Sequence, residues 1–243
     1  MPSMTEAMPE YCSPYLNSPE KRMFDIAAGS ALLAVSAPVE LATAALLSQV
    51  LDEGPLLFRQ ERTGNVAVTK WRTMYNRLPE QAMESVWDAS SPTDVRIPKK
   101  WGVANFARIT GADEFPQVRQ VVKGALLNSK PRLSLVGLRP LIPDHADEMR
   151  DAIAYAGHKE LALRWRELHD VAPKGVISPA ATYYKGRSFN TEIDPVTWAK
   201  LEYGYSVDAT RQVDEDMVAY TCAKLVSSLV GRVLPDGPLL GPA

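Results

Sequence analysis

Residues 24–51 read FDIAAGSALLAVSAPVELATAALLSQVL, and this stretch decides how the rest of the chain is interpreted. Ala, Leu and Val dominate it, and only Asp25 and Glu40 carry a charge within it. A helix of this length is long enough to cross a bilayer. Because apolar runs are ambiguous, the stretch fits a helix buried in a soluble core equally well, and taken alone it leaves both interpretations open.

Two features near the middle of this stretch argue against a simple membrane span. Pro38, which follows Ser36 closely, removes a helical hydrogen bond and crowds the preceding turn. Glu40 would place a carboxylate at mid-depth, at a cost of roughly 2.5 kcal/mol or more. We therefore predict a membrane break at Ser36 and Pro38, where a re-entrant helix turns back to the face from which it entered.

The charges that flank the apolar stretch support the same topology. Basic residues precede it and follow it, and the positive-inside rule then places both ends on the cytoplasmic face. The flanking basic residues are Lys21, Arg22, Arg59, Arg62 and Lys70.

Composition narrows the remaining classes of function. The net charge of -2 argues against a general affinity for nucleic acid. The two cysteines and three histidines have no metal-ligand spacing, and so few cysteines indicate a reducing, cytoplasmic environment.

A basic hairpin is predicted directly after the apolar stretch. Two short strand patterns within residues 54–74 are separated by a turn at Gly64. This hairpin would bring Arg59, Arg62, Lys70 and Arg72 close together. Taken alone, the pattern is more typical of a solvated basic hairpin than of a binding site.

An acidic pair, Asp113 and Glu114, is predicted at the start of a short helix. Asp113 is a good N-cap, Pro116 suits a first turn, and Gly124 is a reasonable helix stop. The N–H groups at a helix start suit a phosphoryl group and keep a carboxylate ionised, as a nucleophile requires. Such a pair is more often only a cap with a dipole-matched acid. Beyond it, residues 134–140 predict a strand that runs into a tight turn presenting Arg139, whose guanidinium suits phosphate.

Seven short strings follow one another in an order typical of a known family. They are KRMFD (21–25), GPLLFRQER (54–62), KWRTM (70–74), DVRI (94–97), DEFPQ (113–117), KG (123–124) and SLVGLRP (134–140). Each string is weak alone, but together and in order they are specific. From about Lys21 to Thr221 the chain resembles the monotopic phosphoglycosyl transferases, also called the bacterial sugar transferase family.

The resemblance implies a reaction and a set of site residues. Asp113 would attack the β-phosphorus of a UDP-sugar, expel UMP and form a covalent aspartyl phosphosugar, which polyprenyl (undecaprenyl) phosphate would then attack. Asp113 and Glu114 would also bind Mg²⁺, which neutralises the diphosphate. The candidates for phosphate contacts are Lys70, Arg72, Arg108 and Arg139.

The sequence departs from the family pattern at several places. Leu138 stands where the family has a proline, which predicts a looser turn before Arg139. Residues 125–133 form a local insertion. Lys174 and its neighbours replace the family's Pro-Gly-Ile-Thr-Gly, and Gln120 stands for an expected asparagine.

We therefore predict an α/β fold: a small globular domain with a short sheet region and surface helices, anchored by an N-terminal re-entrant membrane helix. The expected divisions are a flexible tail over 1–20, the membrane helix over 21–51, a cytosolic catalytic domain over 52–234 and a flexible tail over 235–243.

The expected function is transfer of a sugar 1-phosphate to polyprenyl phosphate, the first membrane step of surface glycan assembly. The expected location is the cytoplasmic face of a bacterial inner membrane, with membrane lipid as a partner. A homodimer is compatible with this expectation. A catalytically inactive membrane scaffold for glycan-assembly enzymes and a soluble hydrolase are the two alternatives.

Overall fold

The computed structural model describes residues 8–51, 53–74, 102–128, 133–184 and 194–230. In these ranges the helices are α1 (Pro19–Val50), α2 (Val103–Thr110), α3 (Phe115–Leu127), α4 (Pro143–Tyr155), α5 (Lys159–Val171), α6 (Pro179–Tyr184), α7 (Pro195–Asp208) and α8 (Arg211–Val230). The strands are β1 (Leu57–Arg62), β2 (Val66–Trp71), β3 (Leu133–Val136) and β4 (Lys174–Ile177).

Helix α1 comprises the whole apolar stretch. It begins where the Ser18 side chain accepts a hydrogen bond from the Lys21 N–H at 3.0 Å, with Pro19 in its first turn. Helical structure continues through Ser36 and Pro38 to Val50, so the hairpin turn expected there is not formed. A proline removes only one N–H donor, and the alanines and leucines on either side favour the helix. The re-entrant path through a membrane stays a prediction.

The burial pattern of α1 is the reverse of that of a core helix. Val35 is 77% exposed and Leu41 is 68% exposed, although both are apolar. Only 22% of the most apolar window is buried, so the alternative of a helix buried in a soluble core is wrong, and the helix is compatible with membrane anchoring. One face meets the domain, at helical spacing: Lys21, Asp25, Gly29, Ser36, Glu40, Thr43, Leu47 and Val50.

The first turns of α1 are tied into the domain by buried charges. The Lys21 Nζ donates to Asp214 at 2.5 Å and to the Val136 carbonyl at 2.8 Å. Asp25 accepts the Ser134 hydroxyl at 2.9 Å. Lys21 is therefore a core ion-pair residue and not the solvated flanking charge that the positive-inside argument assumed, because Asp214 reaches it from α8.

Residues 8–18 are packed, so the flexible tail expected over 1–20 is wrong for this part of it. Pro14–Asn17 forms a 3₁₀ helix that buries Tyr15 and Leu16. They pack in a cluster with Tyr205 and Met217 of α7 and α8. Burial of these apolar side chains stabilises the packed segment, although prolines lie close to them in sequence. Residues 1–7 and 235–243 lie outside the described ranges.

Two small sheets confirm the expected sheet region. Strands β1 and β2 form the predicted antiparallel hairpin, with Leu57 opposite Trp71 and Arg62 opposite Val66. Strands β3 and β4 pair in parallel, with Ser134 opposite Gly175. Helix α3 packs against α1, β2 and β3. The α/β fold class is therefore confirmed.

Helices α1 and α3 approach each other closely at Gly29. A Cβ at this position would lie 2.8 Å from the Val122 Cγ2 atom, which is closer than real Cβ contacts. The absence of a side chain at Gly29 thus lets the apolar helix lie directly against α3, the helix that follows the acidic pair.

Candidate functional site

The acidic pair lies in a short 3₁₀ turn between two helices. The turn comprises Ala112–Glu114, and α3 begins at the next residue, Phe115. The prediction that Asp113 is the N-cap is wrong, because the extra turn moves the cap position to Glu114, whose side chain makes no capping bond. The prediction that Pro116 lies in the first turn is confirmed.

Helix α3 extends beyond its predicted end. Gly124 lies inside the helix, which ends at Leu127 with Asn128 in the left-handed conformation at a φ of 50°. Asparagine tolerates this conformation and caps helices as glycine does. The first residues of the expected insertion, from Ala125 onward, therefore lengthen α3.

Lys70 and Glu114 form an ion pair at the start of α3. The Lys70 Nζ lies 2.5 Å from the Glu114 Oε1, and both side chains are about four-fifths buried. Gln120 fixes the strand that carries Lys70, because its Nε2 donates to the Ala67 carbonyl at 3.0 Å and its Oε1 accepts the Thr69 N–H at 2.8 Å. The hairpin and the acidic pair are thus held together by side chains of both elements.

Arg62 adds a second cation on the same side of the hairpin. It lies four residues after Phe58, the residue opposite Lys70, so it shares the Lys70 face of the hairpin. Burial and the neighbouring Arg139 lower the pKa of the Arg62 guanidinium, while Glu114 acts in the opposite direction. The Arg62 Nη1 also donates to the Pro140 carbonyl at 3.2 Å, so its guanidinium lies beside the turn that presents Arg139. Sequence reasoning put Arg62 in the basic hairpin but not among the site residues, and strand alternation was the signal that could have selected it.

The turn that presents Arg139 is tightly held. The Leu138 N–H donates to the Pro173 carbonyl at 3.0 Å, and the Leu138 carbonyl accepts the Gly175 N–H at 2.8 Å. At Gly137 a Cβ would lie 2.6 Å from the Pro173 oxygen, so only glycine fits. The expected loosening is therefore wrong: a proline at Leu138 could not make the first of these bonds.

A buried carboxylate holds the backbone of Arg139. Glu202 of α7 accepts the Arg139 N–H at 2.8 Å, the Trp165 Nε1–H at 2.9 Å and a hydrogen bond with the His169 Nε2 at 2.8 Å. Burial raises the pKa of Glu202, but its interactions with His169, Arg139 and Trp165 outweigh burial and hold it below the ordinary value. Burial lowers the pKa of His169. His169 is thus a buried packing residue that helps to hold the Glu202 carboxylate in place.

Comparison with known proteins gives the family. The model of the bacterial sugar transferases matches residues 16–228, most of the chain. The chain belongs to the bacterial sugar transferase family.

Three relatives illustrate how much of this chain, and how much of each relative, the similarity covers. An undecaprenyl-phosphate glucose phosphotransferase of Komagataeibacter xylinus is 34% identical over 51% of this chain and 21% of its own length. A UDP-glucose:undecaprenyl-phosphate glucose-1-phosphate transferase of Escherichia coli K12 is 33% identical over 55% of this chain and 26% of its own. The exopolysaccharide production protein PSS of Rhizobium leguminosarum bv. phaseoli is 32% identical over 49% and 58%. The chain thus aligns with about a quarter or less of the first two relatives.

Lys174, where this chain departs from the pattern of its family, is fully buried. Its Nζ donates to the Ala172 carbonyl at 2.6 Å. Burial lowers the pKa of Lys174 from 10.5 to about 7, and the carboxylates of Glu202 and Asp170 act in the opposite direction. The side chain is therefore a titratable group inside the core, next to the carboxylate that holds Arg139.

Lys174→Met is expected to raise the thermal midpoint at pH 7 by roughly 2–4 °C, because an apolar side chain of similar length removes about 1 kcal/mol of desolvation cost. With the folded pKa depressed, the unfolded chain binds the extra proton between about pH 7 and 10.5. In that window the wild type gains stability as the pH rises. The variant should lose this gain. Melting curves of both proteins at pH 7 and 9.5 measure this difference, and equal pH slopes would contradict the lowered pKa of Lys174.

Of two other predicted phosphate contacts, Arg72 and Arg108, the structure describes the side chain of Arg72 only. The Arg72 Nε donates to the Pro55 carbonyl at 2.9 Å and its Nη1 to the Met74 carbonyl at 3.4 Å, in a buried position. These bonds hold the segments around the hairpin, which is a structural role that the sequence did not indicate. Arg108 lies on α2, but its side chain is outside the described part of the structure, so its role stays a prediction.

The donor set suits a magnesium ion that arrives with phosphate. Mg²⁺ typically takes one or two carboxylates and completes its shell with phosphate oxygens and water. Asp113 and Glu114 are two such carboxylates. Within the described ranges no group of three or more potential ligand side chains occurs. The two adjacent carboxylates therefore fit a magnesium ion whose remaining ligands are phosphate oxygens and water.

Proposed function

We propose that the chain transfers a sugar 1-phosphate from a UDP-sugar to polyprenyl phosphate and releases UMP, as the first membrane step of surface glycan assembly. The observation that carries the proposal is the ion pair of Lys70 with Glu114, the residue after Asp113, on the hairpin whose Arg62 contacts the turn of Arg139. Family membership and the relatives named as undecaprenyl-phosphate sugar transferases support it.

The first step would be attack by Asp113. A carboxylate oxygen forms a bond to the β-phosphorus of the UDP-sugar, and the bond from this phosphorus to the bridging oxygen breaks. The electron pair leaves on that oxygen, so UMP departs and an aspartyl phosphosugar remains. Arg62, Arg139 and Lys70 would stabilise the charge on the diphosphate.

The second step would return the enzyme to its starting form. A phosphate oxygen of polyprenyl phosphate attacks the same phosphorus, and the Asp113 carboxylate leaves with its electron pair. The product is a polyprenyl diphosphate sugar. Glu114 would keep the Lys70 ammonium in place during both steps, through their contact at 2.5 Å.

A magnesium ion held by Asp113 and Glu114 would neutralise diphosphate charge when bound with the donor. The two adjacent carboxylates fit such an ion, and this supports the magnesium part of the proposal. The assay below identifies the sugar.

The location that we propose is the cytoplasmic face of a bacterial inner membrane, and the exposed apolar residues of α1 support its contact with a membrane. Polyprenyl phosphate is embedded in that lipid. A chain that contacts the bilayer through α1 would meet this substrate without extracting it, because the apolar tail stays in the hydrocarbon.

The test is UMP release by protein in nanodiscs with Mg²⁺, a panel of UDP-sugars and undecaprenyl phosphate. We expect continued UMP release from one donor, and only when the acceptor is present. Exchange of labelled UMP into that donor should occur without the acceptor. Continued turnover without acceptor would indicate a hydrolase instead. Release from no donor, by protein whose near-UV circular dichroism shows it folded, would favour the scaffold.

A further inference from the structure

A buried carboxylate in the apolar helix α1 has an ion-pair partner on α3. Glu40 is 1% exposed, while its neighbours Val39 and Leu41 are exposed apolar residues. The Arg119 Nη2 donates to the Glu40 Oε2 at 2.8 Å. A buried carboxylate is costly unless it is paired. The pair with Glu40 therefore holds the Arg119 guanidinium beside the exposed apolar residues of α1.

The two ends of this pair differ in exposure. The Arg119 side chain is 58% exposed, so the pair is buried on the Glu40 side and open on the Arg119 side. A guanidinium has five N–H donors in a planar fork, and the contact with Glu40 is made through Nη2. This fork suits two oxygens of one phosphate.

Arg119 also lies close to the acidic pair along the chain. Phe115 is the first residue of α3, so Arg119 follows the start of the helix by about 6 Å along its axis, at roughly 1.5 Å per residue. Helix α1 packs against both α3 and the turn that contains Asp113. Arg119 therefore stands where the exposed apolar helix meets the acidic pair.

We propose that Arg119 binds the phosphate of the polyprenyl phosphate acceptor. This inference rests on the proposed function and extends it to one substrate site. The acceptor combines a long apolar tail with a phosphate monoester, so it needs a cation beside an apolar surface. The UDP-sugar has no such tail, and the donor would be held by Lys70, Arg62 and Arg139 on the hairpin side.

Glu40 sets both the position and the charge of this site. Its carboxylate holds the Arg119 side chain against α1 and offsets part of the cationic charge. Removing the carboxylate should therefore strengthen phosphate binding, whereas removing the guanidinium should weaken it. A merely structural ion pair would lose the same contact in both variants, so the opposite directions distinguish the two roles.

The experiment compares Arg119→Gln and Glu40→Gln in nanodiscs by two measurements, namely turnover at varied undecaprenyl phosphate and the exchange of labelled UMP. For Arg119→Gln we expect the KM for undecaprenyl phosphate to rise about tenfold, through loss of a charge-assisted bond, with a smaller rise for Arg119→Lys. For Glu40→Gln we expect this KM to fall. The exchange of labelled UMP into the UDP-sugar, which needs no acceptor, should change much less than the acceptor KM.

The matched control is Arg211→Gln, which removes an arginine of similar exposure whose Nε lies 2.8 Å from Glu215 on α8. Its acceptor KM should equal that of the wild type. If Arg119→Gln and Glu40→Gln lost acceptor-dependent turnover and UMP exchange to the same extent, the ion pair would be structural and the proposal would be overturned. An effect of Arg119→Gln that disappears in nanodiscs without anionic phospholipid would also overturn it, because Arg119 would then bind bilayer headgroups. Absence of exchange in the wild type would refute the proposed function itself.

Discussion

Replacing Asp113 by asparagine should reduce UMP release by roughly 10³-fold or more, because an amide cannot serve as the nucleophile for phosphorus. Asparagine has nearly the same volume as aspartate, so the 3₁₀ turn Ala112–Glu114 should keep its shape. The measurement is the acceptor-independent exchange of labelled UMP into the UDP-sugar. Exchange requires only the first step, so it separates loss of the nucleophile from loss of acceptor binding.

The matched control for this prediction is Glu114→Gln, which alters the adjacent residue of the same turn. It removes the ion pair with Lys70 but leaves the Asp113 carboxylate, so we expect a smaller loss, about 10–100-fold. Wild-type protein given donor with a labelled β-phosphate and no acceptor should retain protein-bound label that hydroxylamine removes. Equal exchange by wild type and Asp113→Asn, or equal label on both, would rule out Asp113 as the nucleophile.

Local patterns in the sequence predicted the elements that carry the site. Alternation and the turn at Gly64 predicted the hairpin, whose strands pair as expected. The prediction was right because both signals act within a few residues, where neighbouring side chains decide the backbone. The family strings then selected Asp113 and Glu114, and the structure places Glu114 beside Lys70.

The boundaries of α3 were predicted less well. Asp113 had the chemistry of an N-cap and Gly124 that of a stop, yet the helix extends from Phe115 to Leu127. Packing against α1 and β2 covers the helix on two sides, and tertiary contacts of this kind override the local cost of one glycine. Propensity fixed the existence of the helix, while packing fixed its length.

Contacts between distant residues were not predictable from the sequence. Glu202 lies 63 residues after Arg139, and its role is to accept the Arg139 N–H. The packing of Leu16 in one cluster with Met217 likewise has no local signal, so a stretch with prolines and polar residues was interpreted as a tail. In both cases the interaction exists only once α7 or α8 has folded against a segment that is distant in sequence.

The Lys21–Asp214 pair has the same long-range character and predicts the largest loss of stability. Lys21→Met is expected to cost about 3–5 kcal/mol, because it leaves buried carboxylates without their cation. Asp214 is 2.5 Å and Asp25 3.6 Å from the Lys21 Nζ, and all three side chains are fully buried. The thermal midpoint in a fixed detergent should fall by roughly 10 °C.

Two further variants decide whether this loss comes from charge. Lys159→Met makes the same substitution at an exposed position of α5 and should leave the midpoint nearly unchanged. Adding Asp214→Asn to Lys21→Met removes one of the stranded carboxylates and should restore part of the loss, as expected for coupled neighbours. If the double variant were less stable than Lys21→Met by the full cost of Asp214→Asn alone, the two residues would act independently. The first turn of α1 would then be held to α8 by packing of the cluster around Tyr15 and Tyr205, and not by this ion pair.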